Sequence, residues 1–202
     1  MWYLQHTKQE KKIKDKLEDI FGIKYRISPI GGKAPQAFRF EIRDTDSTRW
    51  YDFADVGFGY SQILPIIVQG LRLKKGEILI CEQPEIHLNP SIQGKLGDFF
   101  RYMVEEEDKN VILETHSEHI LLRIRTLIAE GRLDHSKVGL YFVERNQGIS
   151  KLKEIKIGKN GQIKDDVWPS GFFDDTVTES LRLAAAQRKS YLESEKNSRK
   201  RC

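Results

Sequence analysis

Two short stretches of this sequence end in side chains able to do chemistry. Ile78 to Pro90 reads ILICEQPEIHLNP, an apolar run that stops at Glu82 and Gln83, with Glu85, His87 and Asn89 just beyond. A second run, VILETHSE, ends at His116 and Ser117. Apolar runs of this length read as strands, and the C-terminal edges of strands are where α/β sheets bind ligands. Upstream, ADVGFGYSQ supplies Gly57 and Gly59 ahead of a helical stretch that contains Ser61 and Gln62, and the free N–H groups at a helix start can hold an anion. Together these groups suit a phosphate and a divalent cation. Glu82 is a hard oxygen ligand appropriate for Mg²⁺, directly or through water, and His116 could donate to a γ-phosphate or orient a water. Singly, each feature has an ordinary structural explanation: a surface loop beginning, a hydrogen-bonded histidine, a Gly-x-Gly turn.

The elements that must position these groups follow from periodicity. Lys8 to Ile23 carries Ile13, Leu17, Ile20 and Phe21 at helical spacing and stops near Gly22, which predicts an amphipathic helix. YRISPI, AFRFEIRD and TRWYDF alternate apolar with polar residues and predict a small antiparallel arrangement of strands. SQILPIIVQGLRL reads as a helix starting near Ser61, because Pro65 is cheapest close to a helix start. NPSIQGKLGDFFRYMVEEE reads as a second core-facing helix with Pro90 in an N-terminal position. Thr115 to Glu118 fits a capping box for a third helix stopped by Gly131, and VGLYFV reads as a further buried strand. Alternation over Ser61 to Val143 predicts βαβ units and a mostly parallel sheet. Beyond Glu144, ISKLKEIKI and GQIKDD predict a hairpin around KNG, followed by VWPSGFFDD and a helix over TVTESLRLAAAQRK. The expected divisions are an N-terminal helix and antiparallel strands (1–54), the α/β part (55–143), a C-terminal extension (144–187) and a basic tail (188–202).

Composition agrees with a soluble globular chain. Its 202 residues are 39% hydrophobic and 32% charged, enough for one sizeable core and a small extension. The longest apolar stretch, ILPIIV, is far below the roughly 20 residues of a membrane span, and no signal-peptide apolar segment opens the sequence. A cytoplasmic location with no membrane partner is expected. Two cysteines, Cys81 and Cys202, indicate neither a disulfide framework nor a Cys metal cluster. From Arg188 onward six basic residues against Glu193 and Glu195 account for the whole net charge of +4. A solvated terminus is a commoner explanation of such a tail than phosphate contact, and no role is assigned to it.

The order of motifs carries a family resemblance. A glycine loop before a helix, an apolar strand ending in an acid and followed by Pro-Glu, then His-Leu-x-Pro, and a next strand ending Thr-His-Ser is similar to the C-terminal half of ABC-type ATPase domains. It looks closest to the OLD-like (overcoming lysogenization defect) branch of AAA-type ATPases, and within it to bacterial ATPases with a C-terminal domain of unknown function. The resemblance covers Asp55 to Val143, and VWPSGFFDD resembles that group's ending. It implies an α/β fold, a partial P-loop NTPase (ABC ATPase-like) with a mostly parallel sheet flanked by helices, a small antiparallel N-terminal region and a C-terminal hairpin plus helix. It further implies that Gly57, Gly59, Ser61 and Gln62 belong to a signature loop, that Glu82 is the Walker B acid for Mg²⁺, that Glu85, His87 and Asn89 form a D-loop, and that His116 is a switch histidine. ATP and Mg²⁺ are the implied cofactors. Head-to-head dimerisation and a link to DNA, a nuclease partner or bacterial defence are implied as well.

Two departures shape the functional expectation. Family members commonly carry a glutamate after the Walker B acid to polarise the attacking water, and this chain has Gln83. An amide cannot take a proton as a carboxylate does, so hydrolysis should be slow or use another base. The position of the phosphate-contacting signature serine falls at Gly57 or Phe58. Moreover, no G-x-x-x-x-G-K-[ST] occurs in the sequence, and GGKA at Gly31 to Ala34 lacks both the spacing and the Ser/Thr. The expectation is an ATP-gated dimer or switch whose Walker A part comes from a longer or a partner chain. Two other readings compete with it. One is a non-hydrolytic interaction module derived from such an ATPase. The other is a metal-dependent nuclease using Glu114, His116 and His119, or Glu82, Glu85 and His87.

Overall fold

In the computed structural model, residues 8–31, 37–163, 182–183 and 187–188 are described. Two compact units are distinguished, Met1–Lys137 with Lys159–Gly161, and Val138–Gly158 with Gln162–Cys202.

The first unit begins with helix α1 (Lys8–Lys16), which loosens into a π-helical turn over Leu17–Phe21 and ends where Gly22 takes φ 69° and returns its N–H to Glu18. A left-handed residue at this position is where glycine is favoured. Strands β1 (Ile23–Ile30), β2 (Ala37–Asp44) and β3 (Tyr51–Asp52) form the expected antiparallel sheet in that order, with β3 only two residues long. Helix α2 (Phe58–Arg72) starts three residues earlier than its proline suggested, so Pro65 lies inside the helix. Strand β4 (Ile78–Glu82), helix α3 (Pro90–Glu105), strand β5 (Asn110–Glu114) and helix α4 (Glu118–Ala129) complete the unit. Pro90 is indeed at the start of α3, and the Asn89 side chain caps that helix by accepting from the Ile92 amide at 3.0 Å. The cap of α4 is Ser117, not Thr115: its Oγ accepts from the Ile120 amide at 3.0 Å.

Strands β4 and β5 pair in parallel, with Glu82 opposite Glu114. Ile13 of α1, Leu17 of the π-helical turn, Ile63 and Ile67 of α2, Leu96, Phe99 and Met103 of α3 and Cys81 of β4 share one buried core. Helices α2 and α3 come close enough that a Cβ on Gly70 would lie 2.8 Å from Met103 Sδ and 2.9 Å from a Phe99 ring atom. A polar tie runs through the same region. Lys109, 3% exposed, donates to the carbonyls of Gly70 at 2.9 Å and Leu71 at 3.3 Å and thereby closes the C-terminal end of α2. Glu107 lies 3.4 Å from Lys109 and also accepts from Lys12 of α1 and from the Tyr102 hydroxyl. Burial pushes the Lys109 ammonium below its ordinary pKa, as does Lys12, while Glu107 works the other way.

In the second unit, β6 (Leu140–Asn146) and β7 (Ile149–Ile155) form an antiparallel hairpin. This corrects one sequence expectation. VGLYFV was expected to return as a buried strand of the parallel sheet, but it pairs with β7, and Tyr141 and Val143 are exposed. Around KNG an antiparallel bridge joins Ile157 to Ile163 and the Gly158 amide donates to the Gln162 carbonyl at 2.8 Å, in keeping with the turn expected there; the β6–β7 hairpin itself turns at Gln147-Gly148. The reason is backbone geometry: Gln147 and Gly148 both take positive φ, 47° and 83°, the signature of a two-residue turn whose twist matches the strands. VWPSGFFDD, most of TVTESLRLAAAQRK and the basic tail after Arg188 lie outside the described residues.

Two stability outcomes follow. Gly70→Ala forces a methyl between α2 and α3 and is expected to cost about 1–3 kcal/mol in urea unfolding. Burial would raise the Glu107 carboxyl, but hydrogen bonds from Lys12 and Tyr102 hold it at about 2, against an ordinary 4.5. A depressed carboxyl stabilises the fold above its unfolded pKa and loses that contribution as pH falls through the folded one. The stability gap between the unmodified protein and Glu107→Gln should therefore be full above about pH 4.5 and shrink toward pH 2 when unfolding is followed across that window.

Candidate functional site

Parallel pairing brings the ends of β4 and β5 to one edge. Glu82 is the last residue of β4, exposed, with no hydrogen bond or ion pair on its carboxylate among the described residues. Glu114 ends β5 beside it, on the same face of the sheet as Glu82, Ile80 and Ile112. The chain then turns sharply. Gln83 takes φ 46° while its amide donates to the Glu114 carbonyl at 2.8 Å, and His87 takes φ 63° at the other end of the turn. Positive φ is uncommon outside glycine and concentrates at functional sites.

Glu85 has a role that its place in the sequence did not disclose. Its carboxylate reaches across to the other strand's loop, accepting from the His116 amide at 2.6 Å and from Thr115 Oγ1 at 2.8 Å. Thr115 Oγ1 in turn accepts from the Ser117 amide at 3.0 Å. A second bridge runs from Ser117 Oγ to Gln93 Oε1 at 2.6 Å and from Gln93 Nε2 to the Leu88 carbonyl at 2.8 Å. The loop after β4 and the loop after β5 are thus tied twice, and the His116 imidazole is left exposed above the tie.

The glycine loop meets the same region from the side. Gly57 precedes α2 with no side-chain cap, so the first amides of the helix, those of Phe58 and Gly59, have no intrahelical acceptor. Phe58, exposed, stands edge-on to the His87 ring with centroids 5.0 Å apart. A Cβ on Gly59 would lie 3.0 Å from the His87 carbonyl oxygen, so only glycine fits without displacement. Ser61 is one turn into the helix, its hydroxyl donating to the Phe58 carbonyl at 2.6 Å, and Gln62 is half-buried beside it. Asn89 and His87 are accounted for by the α3 cap and the ring contact. Among the sequence-singled residues, Glu82, Gln83, Glu85 and His116 share the strand ends, and Gly59 with Phe58 packs on the His87 turn.

Chemically, the edge offers two carboxylates, Glu82 and Glu114, without side-chain partners among the described residues, an amide next to Glu82, an exposed imidazole and an uncapped helix start. One or two carboxylates are compatible with Mg²⁺, which keeps waters and takes its remaining ligands from phosphate oxygens. No group of three His, Cys, Asp or Glu side chains able to hold a metal occurs among the described residues. That counts against the nuclease reading, as does the exposure of both His116 and His119 without a third ligand.

This arrangement is an α/β fold that resembles an ATPase head. One solved structure it resembles is from "Structural biochemistry of ATP-driven dimerization and DNA stimulated activation of SMC ATPases", at TM-score 0.53 and 10% identity, covering 73% of this chain and 83% of that one. Another is the Smc head domain with a coiled coil and joint from Pyrococcus yayanosii, at TM-score 0.51 and 11% identity, where 73% of this chain matches 26% of that one. The family model of the AAA ATPase domain matches residues 4–121, and the chain belongs to that family. A second model, for a protein of unknown function (DUF3696), matches residues 133–183. No curated protein matches the chain. Among the described residues, no helix is long and apolar enough to cross a membrane.

If Glu85 is the tie between the two loops, Glu85→Ala should lower the hydrogen-exchange protection of the His116 amide by roughly tenfold or more, the scale of one hydrogen bond to a charged acceptor. Unchanged protection would leave that amide held by other groups.

Proposed function

We propose that this chain is the part of an ABC-type ATPase that carries the signature loop, the Walker B carboxylate, the D-loop and the switch histidine. It binds Mg-ATP together with a Walker A segment supplied by a longer or a partner chain, and works as an ATP-gated dimer or switch. The observation that carries this reading is the uneven burial of the β4–β5 pair. One face is packed on the core, while Ile78, Ile80 and Ile112 on the other are 51%, 67% and 55% exposed. Parallel strands are ordinarily covered on both faces, and two strands alone make a marginal sheet. Glu82 and Glu114 end this same bare face, so a segment that covered it would arrive beside both carboxylates.

In the proposed site Glu82 holds Mg²⁺, the bound metal neutralising charge on the phosphates. His116 reaches the γ-phosphate, and the glycine loop before α2 closes over nucleotide held by a second copy. Gln83 stands where a base would act and favours a long-lived ATP state. ATP-driven dimerization and DNA-stimulated activation, described for one similar SMC ATPase structure, motivate extending the reading to a DNA-linked role, and the OLD-like order of the motifs motivates a phage-defence role in a bacterial cytoplasm. Gln83 also favours a second reading, a non-hydrolytic interaction module that uses the bare sheet face for a partner without nucleotide.

Sedimentation of the chain with and without Mg-ATP, alone and mixed with the polypeptide encoded immediately upstream, separates the two. Assembly that needs both additions supports the ATPase reading, and nucleotide-indifferent behaviour supports the module. In the assembled protein, Glu82→Gln should weaken Mg-ATP binding by about tenfold or more, and Gln83→Glu should raise turnover by roughly 10²-fold. An unchanged affinity in the first variant would remove Glu82 from metal binding.

A further inference from the structure

Away from the strand ends, the first unit contains a cavity of about 430 Å³ between α1, the β1–β2 sheet and α2. Its size decides what class of occupant fits. Small-molecule sites run from roughly 300 to 1,000 Å³, and this one falls within that range. The walls are strongly aromatic. Tyr25, Phe38, Phe40 and Phe53 all line it, with Phe40 tilted against Tyr25 at 5.5 Å and edge-on to Phe53 at 4.8 Å. Such rings favour a flat, apolar guest.

The few polar groups on the wall select the guest further. Glu10 lines the cavity with a carboxylate that is 12% exposed and 2.7 Å from Lys14. Ser61 and Pro65 line it as well. Because Pro65 has no N–H inside α2, the Ser61 carbonyl lacks its helical donor. Burial, with Glu10 nearby, pushes the Tyr25 hydroxyl up to about 12, so that it stays neutral. The Glu10 charge is paired with Lys14, which favours a neutral guest, and the Ser61 carbonyl, short of its helical donor, suits a guest that carries a donor of its own.

We propose that this cavity binds a flat, neutral aromatic molecule of two or three rings that carries an N–H donor. Ser61 belongs both to this wall and to the glycine-loop helix, so binding is measured without nucleotide, which tests the cavity apart from the ATPase reading.

The probe is N-phenyl-1-naphthylamine, a neutral aryl amine that brightens in apolar surroundings, titrated into the full chain. Saturable one-site binding is expected. Leu64→Trp and Ile27→Phe each drive bulk into the cavity and should weaken binding roughly tenfold or more with the circular dichroism spectrum retained. Ile80→Lys should leave binding unchanged, since it alters the bare β4–β5 face and not the cavity. Pro65→Ala returns a donor to the Ser61 carbonyl and should weaken the amine about fivefold, the scale of one hydrogen bond, while leaving competition by 1-phenylnaphthalene, which has no N–H, unaffected. Absence of saturable binding, or binding abolished by Ile80→Lys but indifferent to both cavity variants, would overturn the proposal. Equal effects of Pro65→Ala on amine and hydrocarbon would overturn the donor requirement.

Discussion

The parallel pairing of β4 with β5 is the constraint on which the rest of the site depends. Because parallel strands run the same way, their C-terminal ends share an edge. Register then decides which residues face one another. Here it sets Glu82 against Glu114 and starts the two following loops side by side. A slip of one residue would turn the entire apolar set, and both carboxylates, to the opposite face. The core favours the observed register by burying Leu79 and Cys81 on the inner side.

What the pairing brings near, short polar bridges then hold. Glu85 and Gln93 tie the loop after β4 to the loop after β5, and Phe58 and Gly59 pack the start of α2 against the His87 turn. At its other end α2 is closed by Lys109, which couples through Glu107 to α1 and α3. The helix carrying the glycine loop is thus secured at both ends, to the turn after β4 and to the strand start before β5. A change at either strand end has a contiguous set of contacts through which to reach that helix. The two left-handed residues, Gln83 and His87, sit at the boundaries of the turn involved, where strain is tolerated when surrounding contacts over-determine it.

Much of this was legible from residue order. The motifs placed Glu82, Gln83 and His116 at strand ends, and they are there. The helix over Lys8 onward, the start of α3 at Pro90 and the antiparallel region also agree, since each rests on local periodicity or on a cap acting within a few residues. Misreadings arose where one local rule was weighed against distant contacts. Pro65 suggested a later start for α2, but burial of Ile63 and Ile67 in the shared core outweighs the hydrogen bond that a proline removes. The capping pattern at Thr115 was read as closing on its own helix, whereas Thr115 serves Ser117 and Glu85, and Ser117 is the cap.

The sequence by itself determined which segments are strands and helices, which chemistry-bearing residues end them, and the family to which their order belongs, because all of these are encoded within a few residues along the chain. Only the tertiary structure decided that Glu82 faces Glu114, that Glu85 holds the His116 loop, that VGLYFV pairs with β7, that one sheet face stays bare, and that four aromatic rings line a cavity against α2. Each of these depends on contacts between residues far apart in sequence, whose pairing is chosen by the total burial of the fold and not by any local pattern.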